Sequence, residues 1–226
     1  MIRLVFDKAW RVIGRINEAH MNLDKVHPSW QNIPSLYERH AEYFDKSRGK
    51  NLAEQPWLDM FLATAGPASD ILDLGCGSGE PLAAYCIAKG HKVTGVDVSA
   101  PLLALCKARF PDQAWLLGDM QHCQLGKKFT GIMAWDSFFH LPPDGQRGMF
   151  AVFQRHAAPG AALMFTSGPG GGEAIGTFQG EELYHASLDA DEYAGLLPSH
   201  GFALMRHVVE DQNCGGHTIW LARCLD

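Results

Sequence analysis

Three short clusters of residues have the types and the spacing to hold a nucleoside. The first is Asp73-Leu74-Gly75-Cys76-Gly77-Ser78-Gly79, which follows an apolar run and opens a helical stretch. Glycines at such a turn allow backbone angles that other residues avoid, and they let a ligand approach the main chain. Amides at the start of the following helix then face that ligand. The second cluster is the strand-like run His91 to Val96, ended by Asp97 and Val98. A carboxylate at that tip can accept both hydroxyls of a ribose. It can also cap the helix from Pro101, a task that suits Ser99 better. The third is Leu117-Gly118-Asp119-Met120. An acid there can accept from an exocyclic adenine amine, the next amide can donate to the ring, and Met120 can pack on its face. Gly-Asp is also an ordinary turn pair. The order and spacing of the three are more specific than any one of them.

Proton chemistry would come from three histidines that fall in or beside the loops following the strands. Trp135-Asp136-Ser137-Phe138-Phe139-His140 follows the fourth apolar run, and Thr166 to His185 follows the fifth, with Gly168 to Gly172 as a flexible loop. Asp211 to Gly216 joins the last two strands and leads to His217. Histidine can take a proton near neutral pH. His140 is the first candidate for a base; its alternative is a cofactor-wall or capping residue. Tyr184 and His185 come next, with a surface loop as their alternative. Trp135 is expected near the cofactor and Phe139 in the core, while Asp136 is expected to bond backbone or cofactor. No H-x-x-x-H or H-x-H spacing is present, so no metal site is expected. Cys214-Gly215-Gly216-His217 reads as a tight turn with a buried Cys.

The elements that position these residues follow from the pattern of apolar runs. Strands are expected at Ile71-Leu72, His91–Val96, Ala114–Leu117, Gly131–Trp135 and Ala161–Phe165. Helices are expected between them at Pro81–Lys89, Pro101–Phe110 and Arg147–Ala157. Such alternation argues for a doubly wound α/β fold with a mostly parallel sheet. The tail adds a helix at Asp191–Ser199 and strands at Phe202–Val209 and His217–Cys224, so the last strand is expected antiparallel. Residues 1–66 read as a helical N-terminal cap and 67–226 as the ligand-binding domain. Within the cap, Phe6 to Asn22 carries a Phe6, Trp10 and Ile13 face that must be buried somewhere. Val26 to Ser29 reads as a break, and Ser35-Leu36-Tyr37-Glu38 has the form of a capping box that starts a helix. Pro56 opens a further helix to about Thr64.

These residues resemble the class I methyltransferases that use S-adenosylmethionine (SAM), in their small-molecule branch, similar to trans-aconitate or quinone-biosynthesis enzymes. The resemblance covers residues 70 to 224 in strand order. It implies a Rossmann-like, seven-stranded sheet with a reversed last strand. It also implies transfer of a methyl group to an O, N or S atom of a small-molecule acceptor. By resemblance, Gly75 and Gly77 approach the methionine part of SAM, and Cys76 and Val98 are further cofactor-binding residues. Asp97 holds the ribose, Asp119 the adenine with Met120 beside it, and Asp73 orients the glycine turn and, through water, the ammonium. The family often has Glu where this chain has Asp73. Tyr37, Tyr43, Phe44 and Arg48 stand where a lid is often placed. Arg48 is expected either to pair with the SAM carboxylate or to remain a solvated charge. The Asn-Pro-Pro-Tyr-like tetrapeptide of amino-methylating DNA and protein enzymes is missing after the fourth strand.

Two rival readings remain: a SAM-binding sensor or partner subunit without catalysis, and an NAD(P)-dependent oxidoreductase. The glycine spacing opposes the second. Dinucleotide folds use G-x-G-x-x-G, whereas this chain has G-x-G-x-G followed by Glu80. Composition sets further bounds. The 226 residues carry a net charge of −6, which argues against nucleic acid as a partner. The six cysteines include no C-x-x-C pair and read as reduced thiols of a cytoplasmic protein. No signal peptide or membrane-spanning run is read, and a monomer or homodimer is expected.

Overall fold

The apolar runs of the second part of the chain pair into one sheet. Its strands are β1 (Asp70–Leu74), β2 (Lys92–Asp97), β3 (Ala114–Leu117), β4 (Phe129–Ala134), β5 (Ala157–Ser167), β8 (Phe202–Asp211) and β9 (His217–Cys224). The structure, a computed structural model, describes residues 26–225. The expected helix Phe6 to Asn22 and its apolar face lie outside the described residues. The sheet has seven strands in the order β3-β2-β1-β4-β5-β9-β8. β1 to β5 run parallel, and β9 runs antiparallel to both of its neighbours. This is the doubly wound, Rossmann-like sheet with a reversed last strand that the sequence implies.

Side-chain alternation along the strands divides the core between the two sheet faces. Leu72, Leu74, Ile132, Leu163 and Phe165 point to one face. There they meet Phe150 and Phe153 of α6 (Pro143–His156) and Tyr193 of α7 (Ala190–Ser199). Ile71, Met133 and Met164 point to the other. They meet Trp57 and Phe61 of α3 (Gln55–Ala65), Cys86 of α4 (Leu82–Ala88) and Leu103 and Cys106 of α5 (Ala100–Arg109). All six cysteines are free thiols. Among the described residues no helix is long and apolar enough to cross a membrane.

The cap departs from expectation in detail. Pro28–Asn32 is a 3-10 turn where a break is expected. It leads into α1 (Ile33–Arg39), and α2 (Ala41–Ser47) follows. The capping box does not form: α1 begins two residues earlier, with Pro34 in its first turn, and the Ser35 hydroxyl donates to the Asn32 carbonyl. Proline at that position already holds the helical φ. α3 does open with Pro56 in its first turn.

The larger correction concerns residues 166–185, where a loop is expected. β5 continues to Ser167, and β6 (Gly172–Phe178) and β7 (Glu181–Ser187) then form an antiparallel ribbon. Its two-residue turn is Gln179-Gly180, with φ of 52° and 83°, a geometry that suits the twist of a hairpin. Phe178, Leu183, Tyr184 and Ala186 of the ribbon pack on Ile33 and Leu36 of α1, forming a third apolar cluster. Glu173 accepts from the His27 amide, and Glu181 pairs with Arg39 and His40. Cap and ribbon thus form one layer over the carboxyl ends of the parallel strands.

Candidate active site

Two adjoining cavities open at those strand ends. The larger holds about 880 Å³ including its mouth, and the smaller about 480 Å³. Phe44, Gly75, Gly77 and Asp136 line both. The glycine turn is shaped first by protein atoms. Gly75 has φ 78°, and a Cβ there would lie 2.2 Å from the Ser137 Cβ. The chain after β4 therefore requires glycine at this position. At Gly77 a Cβ would come within 3.2 Å of the Phe44 ring, so the cap lies directly on the turn.

Asp97, Val98, Asp119 and Met120 line the larger cavity. The Asp97 carboxylate accepts from the Gly77 amide at 2.8 Å and from the Ser99 amide at 2.9 Å, through different oxygens. Each oxygen keeps a lone pair for a ligand hydroxyl. Burial pushes this carboxyl up, and the amide bonds oppose that shift. Ser99 itself caps α5 through the Leu102 amide, so the two roles weighed for Asp97 are divided between neighbours. Asp119 accepts from the Gln121 amide at 2.9 Å. Met120 opens the short 3-10 turn that follows, so its amide has no acceptor within that turn.

Asp73, Cys76, Arg48 and Trp135 line the smaller cavity. Asp73 is buried, and its carboxyl is pushed up to about 8, by burial first and by Asp97 second, against the pull of Arg48. Arg48 donates to Asp136 at 3.2 Å and faces Glu54 at 3.8 Å, so it is a buried pair member and not a solvated charge. Asp136 also faces His217 at 3.1 Å. Burial opposes ionisation of Asp136, but His217 and Arg48 outweigh it and hold the carboxyl far below its ordinary range.

His140 and Tyr37 meet on the wall of the larger cavity. The His140 Nδ1–H donates to the Tyr184 carbonyl at 2.7 Å, which leaves Nε2 as an acceptor. The Tyr37 hydroxyl donates to that Nε2 at 3.0 Å. Burial lowers His140 to about 4, so the imidazole is neutral near neutral pH. A neutral imidazole behind a tyrosine hydroxyl can orient an N–H or O–H group and take its proton.

Tyr184 and His185 line neither cavity. The Tyr184 hydroxyl donates to Glu173 at 2.6 Å. His185 is buried against Phe139 and His140, with ring centroids 5.4 and 4.9 Å away, and burial lowers it to about 3. Both are ribbon-interior residues and not loop residues. Sequence reasoning read Tyr37 only as part of a lid and missed its bond to His140, 103 residues away. It also missed the Arg48–Asp136–His217 cluster. Among the described residues no group of His, Cys, Asp or Glu is arranged to hold a metal ion.

Residues 71–160 match a family model described as a methyltransferase domain. The chain is 29% identical over 137 residues to the dTDP-3-amino-3,4,6-trideoxy-alpha-D-glucopyranose N,N-dimethyltransferase of Streptomyces venezuelae, a match covering 57% of each. It is 25% identical to the malonyl-[acyl-carrier protein] O-methyltransferase of Salmonella typhimurium, over 66% of this chain and 55% of that one. The matches thus span a little over half the length of these relatives. The fold is similar to that of the Burkholderia thailandensis 1,6-didemethyltoxoflavin-N1-methyltransferase, solved with 1,6-didemethyltoxoflavin and S-adenosylhomocysteine (SAH). There the TM-score is 0.66 at 18% identity, covering 92% of this chain and 95% of that one.

Proposed function

We propose that this chain, which carries the domain of a class I SAM-dependent methyltransferase, transfers the methyl group of SAM to a nucleophilic atom of a small-molecule acceptor. The observation that supports this most is the wall of the larger cavity. Asp97 keeps lone pairs there for two hydroxyls, one strand away from an acid and a free amide at Asp119-Met120. Asp73 adds a buried carboxyl group to the smaller cavity, pushed up by burial, which a cationic ligand group would ionise. The residues present therefore fit SAM.

When bound, SAM supplies an already activated methyl group for in-line displacement. In this reading Asp97 and Val98 hold the ribose, while Asp119 and Met120 hold the adenine. Gly75, Cys76, Gly77 and Trp135 wall the amino-acid arm, with Asp73 near its ammonium and Arg48 near its carboxylate. The helices α1 and α2 act as the cap, whereas α3 packs into the core of the sheet. Tyr37 gives its own hydrogen to His140 and so meets the acceptor's N–H or O–H with a lone pair. The acceptor's proton then passes through Tyr37 to Nε2 of His140. The carboxylates of the wall favour a reaction that keeps a positive charge in the site, as methylation of a neutral amine does. The streptomycete relative is named for methylating an amino sugar, and a nitrogen acceptor is the choice made here.

The test is a thermal-shift and turnover assay. SAM and SAH are expected to raise the melting temperature, and SAH is expected to form with small amines in a panel of amines, alcohols, thiols and carboxylates. SAM binding without turnover on any of them turns the reading to a sensor or partner subunit. Stabilisation by NAD(P) and not by SAM overturns it.

A further inference from the structure

Arg48 belongs to a mostly buried cluster of charges whose other members, Glu54, Asp136 and His217, have no part in the proposed reaction. Asp136 stands at the end of β4 with φ 48°. Its amide is bonded to the Thr166 hydroxyl at 2.9 Å. Its carboxylate meets Arg48 at 3.2 Å through Oδ2 and the His217 Nε2 at 3.1 Å through Oδ1 and 3.2 Å through Oδ2, and the Thr166 hydroxyl donates to Oδ1 at 3.4 Å. The His217 Nδ1 lies 2.6 Å from the Cys214 carbonyl. An imidazole with an acceptor at each nitrogen is best satisfied when both nitrogens carry hydrogen, which makes it a cation. Arg48 reaches Glu54 at 3.8 Å on its far side. The order Glu54, Arg48, Asp136, His217 thus alternates in sign. The four side chains are only 8%, 16%, 10% and 15% exposed, so solvent screens them weakly.

We propose that His217 is a positioning residue for the cofactor's amino-acid arm: through Asp136 it fixes the Arg48 guanidinium in the wall of the smaller cavity and fastens the cap to the sheet. The proposal rests on the reading of that cavity as the methionine side of a SAM site. With His217 neutral, Arg48 is the remaining cation for both Asp136 and Glu54. Its charge is then drawn into that pair and away from a ligand carboxylate. The other groups facing the cluster do not supply the missing charge. His140 is held neutral by burial, Tyr37 is held un-ionised by burial, and the Cys214 thiol is pushed up by burial. Asp211 in the adjoining turn is bonded to the Trp57 indole.

The sign of the pH effect follows. Burial opposes the charge on His217, but Asp136 and Cys214 outweigh it and raise the imidazole well above its ordinary range. The contribution of a raised imidazole is complete below its ordinary value and is lost as pH rises through the raised one. Asp73, which also faces Arg48 and is pushed up to about 8, favours the ligand ammonium once ionised, so SAH affinity is expected to rise up to about pH 8 and to fall on the alkaline side beyond it.

Calorimetric SAH binding between about pH 6 and pH 10 tests this in the wild type and His217→Gln. The wild type is expected to lose affinity on the alkaline limb. His217→Gln is expected to bind about tenfold more weakly at neutral pH and to lack that limb. Its KM for SAM should rise while kcat stays within about twofold. Wild-type affinity and pH profile in His217→Gln overturn the positioning role. If the variant does not fold, carbon-13 NMR of the ligand-free wild type decides: an imidazole titrating in the ordinary histidine range overturns the proposal. Absence of SAH binding by the wild type overturns the reading of the cavity itself, whereas tight binding indifferent to residue 217 overturns only this inference.

Discussion

The strand ends and the layer that covers them are built in opposite ways. Asp73 and Asp97 are held by the sheet's own register, in which Asp73 lies beside Gly95 and Asp97 beside Leu117, and Asp119 caps the short turn just beyond β3. The bond that ties the glycine turn to Asp97 spans only 20 residues. In the covering layer, by contrast, Tyr37 meets His140 across 103 residues, Arg39 meets Glu181 across 142, and His27 meets Glu173 across 146. Neither α1 nor the ribbon forms part of the main sheet, and each buries apolar side chains on the other. On the proposed reading the strand-end part of the cofactor site is prebuilt by the sheet, and the acceptor end is an assembly of distant segments. Such an assembly can change its lining without disturbing the strand ends.

The sharpest way to break this contrast is to place the same substitution in each region. Gly75→Ala puts a methyl group 2.2 Å from the Ser137 Cβ at a positive φ. The expected loss is about 3 kcal/mol or more in chemical denaturation. Gly180→Ala in the ribbon turn has the same strained φ but open space around it. Its expected loss is about 1 kcal/mol. Equal losses would mean that the two regions are equally constrained.

The same contrast explains what could be read from the sequence. Asp97 and Asp119 are legible because an acid at the tip of an apolar run needs only local pattern to be found. The reversed last strand is legible from the hairpin Asp211 to Gly216 that leads into it, whereas the spatial order of the strands is not written in any local pattern. The ribbon is not legible either, since Gly172, Gly176 and Thr177 interrupt the alternation of β6. Its burial comes instead from Ile33 and Leu36, far away in sequence. Tyr184 and His185 therefore read as loop residues, although both are fully buried. Asp136 carries no local sign of its partners, which lie 88 residues before it and 81 after it.

A pair of variants separates the regions by function. Tyr37→Phe removes the hydroxyl that bonds His140 and is expected to lower kcat about a hundredfold while leaving SAH affinity within about twofold. Asp97→Asn is expected to weaken SAH about tenfold, with a smaller effect on kcat. Calorimetry and single-turnover rates check both. A Tyr37→Phe enzyme with wild-type kcat would leave positioning alone to carry the reaction.

A pH experiment sharpens the strand-end half. Burial and the Asp97 charge hold the Asp73 carboxyl at about 8. The fold thus favours its neutral form, and this group's contribution to stability falls as pH rises from the ordinary carboxylate range through about 8. An ammonium beside it favours the ionised form. SAM binding is therefore expected to release a proton below pH about 8, with affinity rising with pH in that window. Calorimetry in buffers of different ionisation enthalpy measures the release, and Asp73→Asn should abolish it. Binding without proton release would place the ammonium elsewhere.

The smallest expected effect tests the covering layer. The Tyr184 hydroxyl bonds Glu173, which also accepts from the His27 amide, so this oxygen helps to fasten ribbon to cap. The contact of Tyr184 with the reaction runs through its carbonyl, which accepts from His140. Tyr184→Phe keeps that carbonyl and removes the hydroxyl. It is expected to cost about 1 kcal/mol of stability, with kcat unchanged within about twofold. Faster hydrogen exchange in β6 and the Pro28–Asn32 turn, with β1 to β5 unaffected, is the accompanying sign. A large fall in kcat with unchanged stability would instead put the hydroxyl in the reaction. The ribbon would then be part of the chemistry as well as its scaffold.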